Sequence, residues 1–341
     1  MAKVRVAVNG YGTIGKRVAD AVAKQPDLEL VGVAKTRPNF EAERAVQKGY
    51  PLFVAGDGTA AEFEAAGLPV AGTVADLLGR ADVVVDATPD KVGAENAKRY
   101  AAAGLRAVFQ GGEKASVAEV SFSALGNYAA ARGKRTVRVV SCNTTGIARA
   151  VAVLLPTWGA ERWDVTLIRR AADPAESKKG PINGIVPSLH IPSHHGPDVQ
   201  TIFPGLPIES VAVVVPTTLM HVHVNHVRLT RAPASAAELV DAFRSTPRFR
   251  VFAPWERADG TPQVMEYARG RGLGFDDFME NVLWQDGVTV DGKDAYFFQA
   301  IHQESVTVPE NVDAIRAMFD LAPDARTSIA TTDRALGLSR A

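Results

Sequence analysis

One cysteine occurs among 341 residues. Without a second thiol there is no intramolecular disulfide, which excludes a small disulfide-stapled secreted fold and suits a reducing cytoplasm. Net charge is missing as well. The 38 Lys and Arg residues balance 38 Asp and Glu, so no overall field draws the chain to nucleic acid or to an anionic membrane. No apolar run reaches the roughly 20 residues of a membrane span. The N-terminal MAKVRVAVNGYGTIGKR is basic and apolar, but glycines interrupt it and no cleavage site follows. It therefore reads as structure, not as a signal peptide. There is no internal repeat and no helix-turn-helix pattern. What remains is an ordinary globular composition, 46% hydrophobic and 22% charged, over a length that suits two domains.

The first half alternates strand and helix patterns. KVRVAVN is β-branched and apolar, a buried strand; KRVADAVAKQ reads as a helix ended by Pro26 and Asp27; LELVGVAKT is a second strand. ADVVVDAT, AVFQ and VRVVS are further strands, with GAENAKRYAAAG as a helix between two of them. This alternation predicts a parallel sheet with right-handed crossovers. From about Arg162 strands dominate: WDVTLIRRA, ESVAVVVPTTLMHVHVNHVRLT and DAYFFQAIHQES predict one mostly antiparallel sheet. VPENVDAIRAMFDLA reads as an amphipathic helix with Pro309 and Glu310 in its first turn.

Gly10-Tyr11-Gly12-Thr13-Ile14-Gly15 is G-x-G-x-x-G between the first strand and the first helix, the context in which the motif binds a dinucleotide. The first glycine allows the tight turn, the second lets the backbone approach a pyrophosphate, and the third lets helix and strand pack closely. NAD sites usually carry an acidic residue at the end of the second strand. Here that strand ends Ala34-Lys35-Thr36-Arg37, which offers two cations and a hydroxyl and no carboxylate. NADP is thus expected at least as well as NAD.

Cys142 stands in VVSCNTTG, after a strand and before the helix-like IARAVAVLL. A helix N-terminus favours a thiolate and lowers its pKa, and its N–H groups stabilise an oxyanion on a carbon bound to sulfur. Ser141, Asn143 and Thr144 are polar neighbours uncommon around a packing cysteine. Six of the seven histidines, His190, His194, His195, His221, His223 and His226, fall in one stretch. His221 and His223 share a strand face, yet no cysteine or carboxylate stands at a familiar ligand spacing, so no metal is expected. His190, His223 and His226 fit structural roles. The remaining reading supplies a base for Cys142 and, with Arg169-Arg170 and PSHHGPDVQ, a phosphate clamp. A thiol, a base, a phosphate clamp and a dinucleotide fold point to one chemistry: addition of the thiol to an aldehyde, hydride transfer, and phosphorolysis of the thioester.

NGYGTIGKRVADAV, DATP, FQGGEKA, VVSCNTTG, IRRAADP, GPINGI, PSHHGPDVQT, VPTTLMHVH, AIHQES and PENVDAIRAMF together resemble the archaeal (class II) phosphorylating glyceraldehyde-3-phosphate dehydrogenases, in order over nearly the whole chain. The resemblance implies an α/β Rossmann dinucleotide-binding domain over 1–141, completed by a C-terminal helix region 308–341. A catalytic domain over 142–307 would be built on the mostly antiparallel sheet. It implies a cytoplasmic homotetramer of glycolysis and gluconeogenesis, using NADP or NAD to oxidise D-glyceraldehyde 3-phosphate reversibly to 1,3-bisphosphoglycerate.

By the same resemblance Cys142 is the nucleophile and His221 the general base, with His223 the next candidate. Gly10, Gly12, Thr13, Ile14, Gly15, Lys35, Thr36, Gly111, Arg169 and Gln303 would hold the cofactor. Ser141, Asn143, Thr144, Arg170, His194 and His195 would hold substrate or inorganic phosphate, the arginine doublet leaving its own division open. The rival enzyme is another acylating semialdehyde dehydrogenase, of the aspartate-semialdehyde type, which needs a group for the substrate's carboxylate and amine instead of a second phosphate pocket; the His194-His195 loop and Arg169-Arg170 favour a sugar phosphate. A non-catalytic Rossmann redox sensor would keep Gly10–Gly15 without needing the surroundings of Cys142. A metal-dependent hydrolase would need the histidines as ligands.

Overall fold

The computed structural model describes residues 2–89, 91–110, 112–172 and 183–338. The chain divides into two compact units, Met1–Ser141 with Thr307–Ala341, and Cys142–Val306.

The first unit is built on seven strands, all parallel: β1 (Val4–Asn9), β2 (Leu28–Lys35), β3 (Leu52–Val54), β4 (Val83–Asp86), β5 (Arg106–Gln110), β6 (Val120–Phe122) and β7 (Thr136–Val139). Their spatial order is β3-β2-β1-β4-β5-β7-β6. All four residues of β4 are buried, as expected of a sheet covered on both faces. The three-residue strands β3 and β6 are too short to give a periodic signal in the sequence. β2 flanks β1 on one side and β4 on the other. This is the switch point outside which open α/β sheets bind ligands. The Gly10–Gly15 turn leaves β1 there and opens the helix Thr13–Ala23.

The helix Val308–Met318 completes this unit, but it is not amphipathic in use. Every one of its residues is buried, because the last helix, Ala325–Leu336, and the sheet cover it from both sides. Its polar residues are matched instead of solvated. Arg316 donates to both oxygens of Asp27 at 2.7 and 2.8 Å and to Gln25 at 2.8 Å. Asp313 accepts from Ser328 and Thr332 at 2.6 Å each, and Glu310 accepts from the Ala124 backbone at 2.6 Å. Buried charges persist where such partners exist.

The second unit holds β8 (Arg162–Arg170), β9 (Val186–Pro187), β10 (Ile208–Val215), β11 (His221–Arg228), β12 (Phe249–Phe252), β13 (Asn281–Trp284), β14 (Thr289–Asp291) and β15 (Asp294–Ile301). The order is β12-β13-β15-β11-β8-β10-β9, with β14 on β15. Two neighbouring pairs are parallel, β8 with β10 and β12 with β13, and the rest are antiparallel. ESVAVVVPTTLMHVHVNHVRLT forms two strands here. Pro216 offers no N–H, and Met220 takes a left-handed φ of 56°, so the ladder breaks directly before His221.

The helix Cys142–Trp158 packs on the inner face of this sheet. A Cβ at Gly146 would lie 3.0 Å from Ile301 and 3.1 Å from His223. The glycine lets the first turn of the helix, with Cys142, come down onto β11 and β15. No described helix is long and apolar enough to cross a membrane.

Candidate active site

The glycine turn separates packing from binding. Gly10 has φ 97°, and a Cβ there would meet the Ala87 carbonyl at 2.6 Å; a Cβ on Gly15 would meet the Gly10 carbonyl at 1.9 Å. Both glycines are demanded by the fold. A Cβ on Gly12 would meet nothing within 4 Å, so packing does not explain that glycine. Gly12 caps the helix without a side-chain hydrogen bond, which leaves helix N–H groups at Thr13 and Ile14 facing the space above it. A diphosphate backbone fits this open, donor-lined approach.

The end of β2 differs from its sequence reading. A carboxylate is present there, brought by the helix Phe40–Gln47. Glu41 accepts from Lys35 Nζ in a very short contact and from Lys16 Nζ at 3.1 Å. Lys35 also donates to the Tyr11 carbonyl at 3.0 Å. Burial works against the Glu41 charge, yet Lys35 and Lys16 hold its pKa below the ordinary value. Arg37 is half exposed and pairs with Asp57 at 2.9 Å. The expectation of uncommitted cations without a carboxylate is therefore corrected. Lys35 is neutralised by a residue six positions on, which strand-end inspection does not reach. Gly111 lies outside the described residues.

Cys142 is the first residue of its helix and is half-buried. Burial pushes its thiol up to about 11, against the pull of the Asn143 backbone N–H and of Arg169 and Arg170. Glu304 reinforces the rise. A helix terminus by itself predicts a lowered pKa; desolvation outweighs it here.

His221 and His223 sit on the buried face of β11, and their nitrogens distinguish them. His223 is satisfied on both sides, by Gln299 at Nδ1 (3.0 Å) and by Asn143 Oδ1 at Nε2 (2.9 Å). His221 Nδ1 accepts the Arg170 backbone N–H at 2.9 Å. A backbone N–H only donates, so Nδ1 of His221 is unprotonated and its proton is on Nε2. That Nε2 is buried and has no partner within hydrogen-bond distance among the described residues. Burial, with Arg170, His223 and Arg169, holds the His221 pKa well below the ordinary value, and Gln303 opposes this only in part. The ring is therefore a neutral N–H donor. With Nδ1 occupied and the proton on Nε2, the ring presents a donor in this arrangement.

The arginine doublet also divides. Arg170 is buried and committed, donating to Gln303 Oε1 at 2.9 Å, to the Thr218 carbonyl at 3.2 Å and to Glu304 at 3.3 Å. The resemblance places one arginine of the doublet at the phosphate; in this structure Glu304 and Gln303 claim the Arg170 guanidinium. Arg169 instead has a buried Nε with no partner among the described residues. It lies within electrostatic range of Cys142, His194, His195 and His221.

Other expected ligands are likewise occupied. Thr144 is fully buried and donates to Asp198 at 2.8 Å. Asn143 and His195 are buried and face each other at 3.4 Å, and burial takes the His195 pKa down to about 2. His194 is exposed, and its ring lies against that of His195 at a tilt of 31°, with ring centres 3.9 Å apart. Ser141 directly precedes the nucleophile and is half-buried. Among the described residues no three His, Cys, Asp or Glu side chains are grouped to hold a metal.

Sequence reasoning missed Asn311. Its Nδ2 donates to Gln110 Oε1 at 2.5 Å and to the Thr307 carbonyl at 2.9 Å, while its buried Oδ1 has no partner among the described residues. The PENVDAIR helix was read for its apolar face, and nothing in that periodicity marks an asparagine.

A parallel sheet with a ligand-open glycine turn, joined to a unit that carries a thiol at a helix start among neutral imidazoles, defines a class of nicotinamide-dependent oxidoreductases. Comparison with known proteins narrows it. A profile described as "Glyceraldehyde 3-phosphate dehydrogenase, C-terminal domain" matches residues 141–295, and one described as "Dihydrodipicolinate reductase, N-terminus" matches residues 4–122. Proteins named glyceraldehyde-3-phosphate dehydrogenase are similar over essentially their full length. The one from Halobacterium salinarum is 54% identical over 336 residues (98% of this chain, 100% of the relative). That from Archaeoglobus fulgidus is 51% identical over 342 residues (100% and 99%), and that from Pyrococcus abyssi 52% over 336 (98% and 99%). The chain belongs to the glyceraldehyde-3-phosphate dehydrogenase family.

Proposed function

We propose that this chain catalyses the reversible phosphorylating oxidation of D-glyceraldehyde 3-phosphate to 1,3-bisphosphoglycerate through a thioester on Cys142. The observation that carries the reading is the buried Nε of Arg169, which has no partner among the described residues and lies within electrostatic range of the thiol. A partly buried cation with an open nitrogen in reach of a nucleophile's field suits an anionic substrate.

The Cys142 thiolate attacks the aldehyde carbon, forming the C–S bond and moving the carbonyl electrons onto oxygen. The Nε2–H of His221 donates to that oxyanion, a contact made only once charge develops there. A nicotinamide dinucleotide held at Gly12, Thr13 and Ile14 would supply the acceptor for the hydride that leaves this carbon as its C=O bond re-forms. Phosphate oxygen then attacks the thioester, the C–S bond breaks, and thiolate is regained. Arg169, His194 and Ser141 hold the anionic groups; Arg170 positions Gln303; Asn143, Thr144 and His195 shape the turn around the thiol. Gly12, Thr13 and Ile14 hold the pyrophosphate, Gly10 and Gly15 the turn beneath it, and Gly111 and Gln303 the nicotinamide end. Asn311 Oδ1, a buried acceptor without a donor among the described residues, suits a carboxamide NH₂.

Mixing enzyme, aldehyde and cofactor without phosphate tests this reading. A burst of about one reduced nicotinamide per site is expected, followed by near arrest until phosphate is added. Equal steady rates with and without phosphate would sink it.

NADP and NAD both serve in this reading, with Lys35 and Thr36 at the 2′ position. Because Glu41 holds Lys35, Glu41→Gln is expected to raise the NADP-to-NAD ratio of kcat/KM about fivefold, a surface-pair-sized effect of about 1 kcal/mol. An unchanged ratio would remove Lys35 from the cofactor contact.

Homotetramer assembly in the cytoplasm is part of the same proposal. Phe298, Val224, Thr166 and Val211 align in register across β15, β11, β8 and β10. Phe298 and Val211 are exposed, and three apolar side chains with one threonine make a row suited to a subunit contact.

A further inference from the structure

A chain of polar side chains runs through the interior of the Cys142–Val306 unit, and its direction is set at its ends. Arg149, in the helix that Cys142 opens, is buried and donates Nη1 to the Met279 carbonyl at 2.8 Å and to Asn281 Oδ1 at 3.4 Å. A guanidinium only donates, so Asn281 turns its oxygen to it. Asn281 Nδ2 donates to the Gly146 carbonyl at 2.8 Å and to Gln299 Oε1 at 3.0 Å. That leaves Gln299 Nε2 to donate to His223 Nδ1 at 3.0 Å and to the Gly146 carbonyl at 3.2 Å.

His223 Nδ1 thus accepts, its proton is on Nε2, and Nε2 donates to Asn143 Oδ1 at 2.9 Å. Asn143 Nδ2 is left to donate to His195 Nε2 at 3.4 Å. The His195 proton then belongs on Nδ1, which lies 3.1 Å from Ser193 Oγ. Asn281, Gln299 and His223 are fully buried, so water supplies no alternative partner. Burial also holds His223 neutral, its pKa lowered to about 3.

We propose that Gln299, acting through His223, is a positioning residue that fixes the amide orientation of Asn143 and, through it, the tautomer of His195. Neither residue touches the reacting atoms in the reading above. The proposal rests on that reading only for its kinetic consequence, because Asn143 follows the nucleophile and its backbone N–H serves the Cys142 sulfur. A side chain that merely filled space at position 299 would carry no directional information. A donor in that place does, since reversing one hydrogen bond of the chain reverses the next.

The experiment is nitrogen–proton correlation spectroscopy of the histidine side chains in the full-length protein at neutral pH. His223 is expected protonated on Nε2 and His195 on Nδ1; a wild-type His223 proton on Nδ1 overturns the proposal. Gln299→Leu preserves bulk and removes the donor. His195, two side chains away, is expected to lose its single tautomer. kcat should fall about tenfold, with KM for the aldehyde within about twofold. A folded Gln299→Leu protein whose His195 keeps its wild-type signal overturns the proposal. If that variant does not fold, Gln299→Glu supplies an acceptor-only side chain that draws a proton to His223 Nδ1 in the same spectrum; an unchanged His223 signal there is equally fatal. Failure of the functional reading shows separately, as a missing burst in wild-type enzyme whose tautomers are as expected.

Discussion

Cys142→Ser protein mixed with aldehyde and cofactor is expected to give no burst of reduced nicotinamide and no turnover above background. The loss should be at least 10⁴-fold, since a serine hydroxyl without a base is a far poorer nucleophile than a thiolate. The fold should survive, because the residue opens its helix half-buried and the exchange is close to isosteric. The wild-type rate carries a pH signature of the same chemistry. With the thiol pushed up to about 11, most sites hold the protonated, unreactive form at neutral pH. Acyl-enzyme formation is therefore expected to climb with pH toward that value, as is alkylation of Cys142 by iodoacetamide. A rate flat from pH 7 to pH 10, with thiolate fully formed at pH 7, would contradict the desolvated thiol. A Cys142→Ser protein that turns over normally would end the mechanism.

His221→Asn is expected to slow acyl-enzyme formation about 10²–10³-fold, the usual consequence of removing one donor from a developing oxyanion. The direction of the His221 hydrogen bonds makes a further demand. A donor with its proton on Nε2 does not take the thiol proton, so His221→Asn should leave the pH profile of Cys142 alkylation essentially in place. A base would move that profile upward. The acid limb of kcat/KM gives a second view. With its pKa held well below the ordinary value, His221 stays neutral as pH falls through about 6.5, and no loss of rate is expected there from this ring. A profile that collapses near pH 6.5 in wild type and not in His221→Asn would restore the base.

Much of this was legible in the sequence because it is local. A β-branched run followed by G-x-G-x-x-G and a helical period specifies a strand, a turn and a helix within about twenty residues. Cys142 between VRVVS and IARAVAVLL is the same kind of statement. Length limited the reading where elements were short, as with β3 and β6. Periodicity also failed for Val308–Met318, whose charges looked like a solvent face but are buried against Asp27, Ser328, Thr332 and the Ala124 backbone. An amphipathic pattern records which residues are polar; it does not record whether partners elsewhere in the chain meet them.

The sequence by itself determined the parallel nucleotide-type sheet, the glycine turn, the position of the one thiol at a helix start and the family to which these belong. Tertiary structure decided which polar groups are left available. Arg169 and Arg170 are neighbours of one chemical type, yet only Arg170 meets Gln303 and Glu304, more than 130 positions away. His221 and His223 lie two residues apart on one face, yet one meets a backbone N–H 51 positions away and the other an asparagine 80 positions away. The physical reason is that a hydrogen bond has a direction. Whether a histidine donates or accepts, and whether an arginine is open or occupied, depends on the group the fold brings opposite it, which no local pattern encodes.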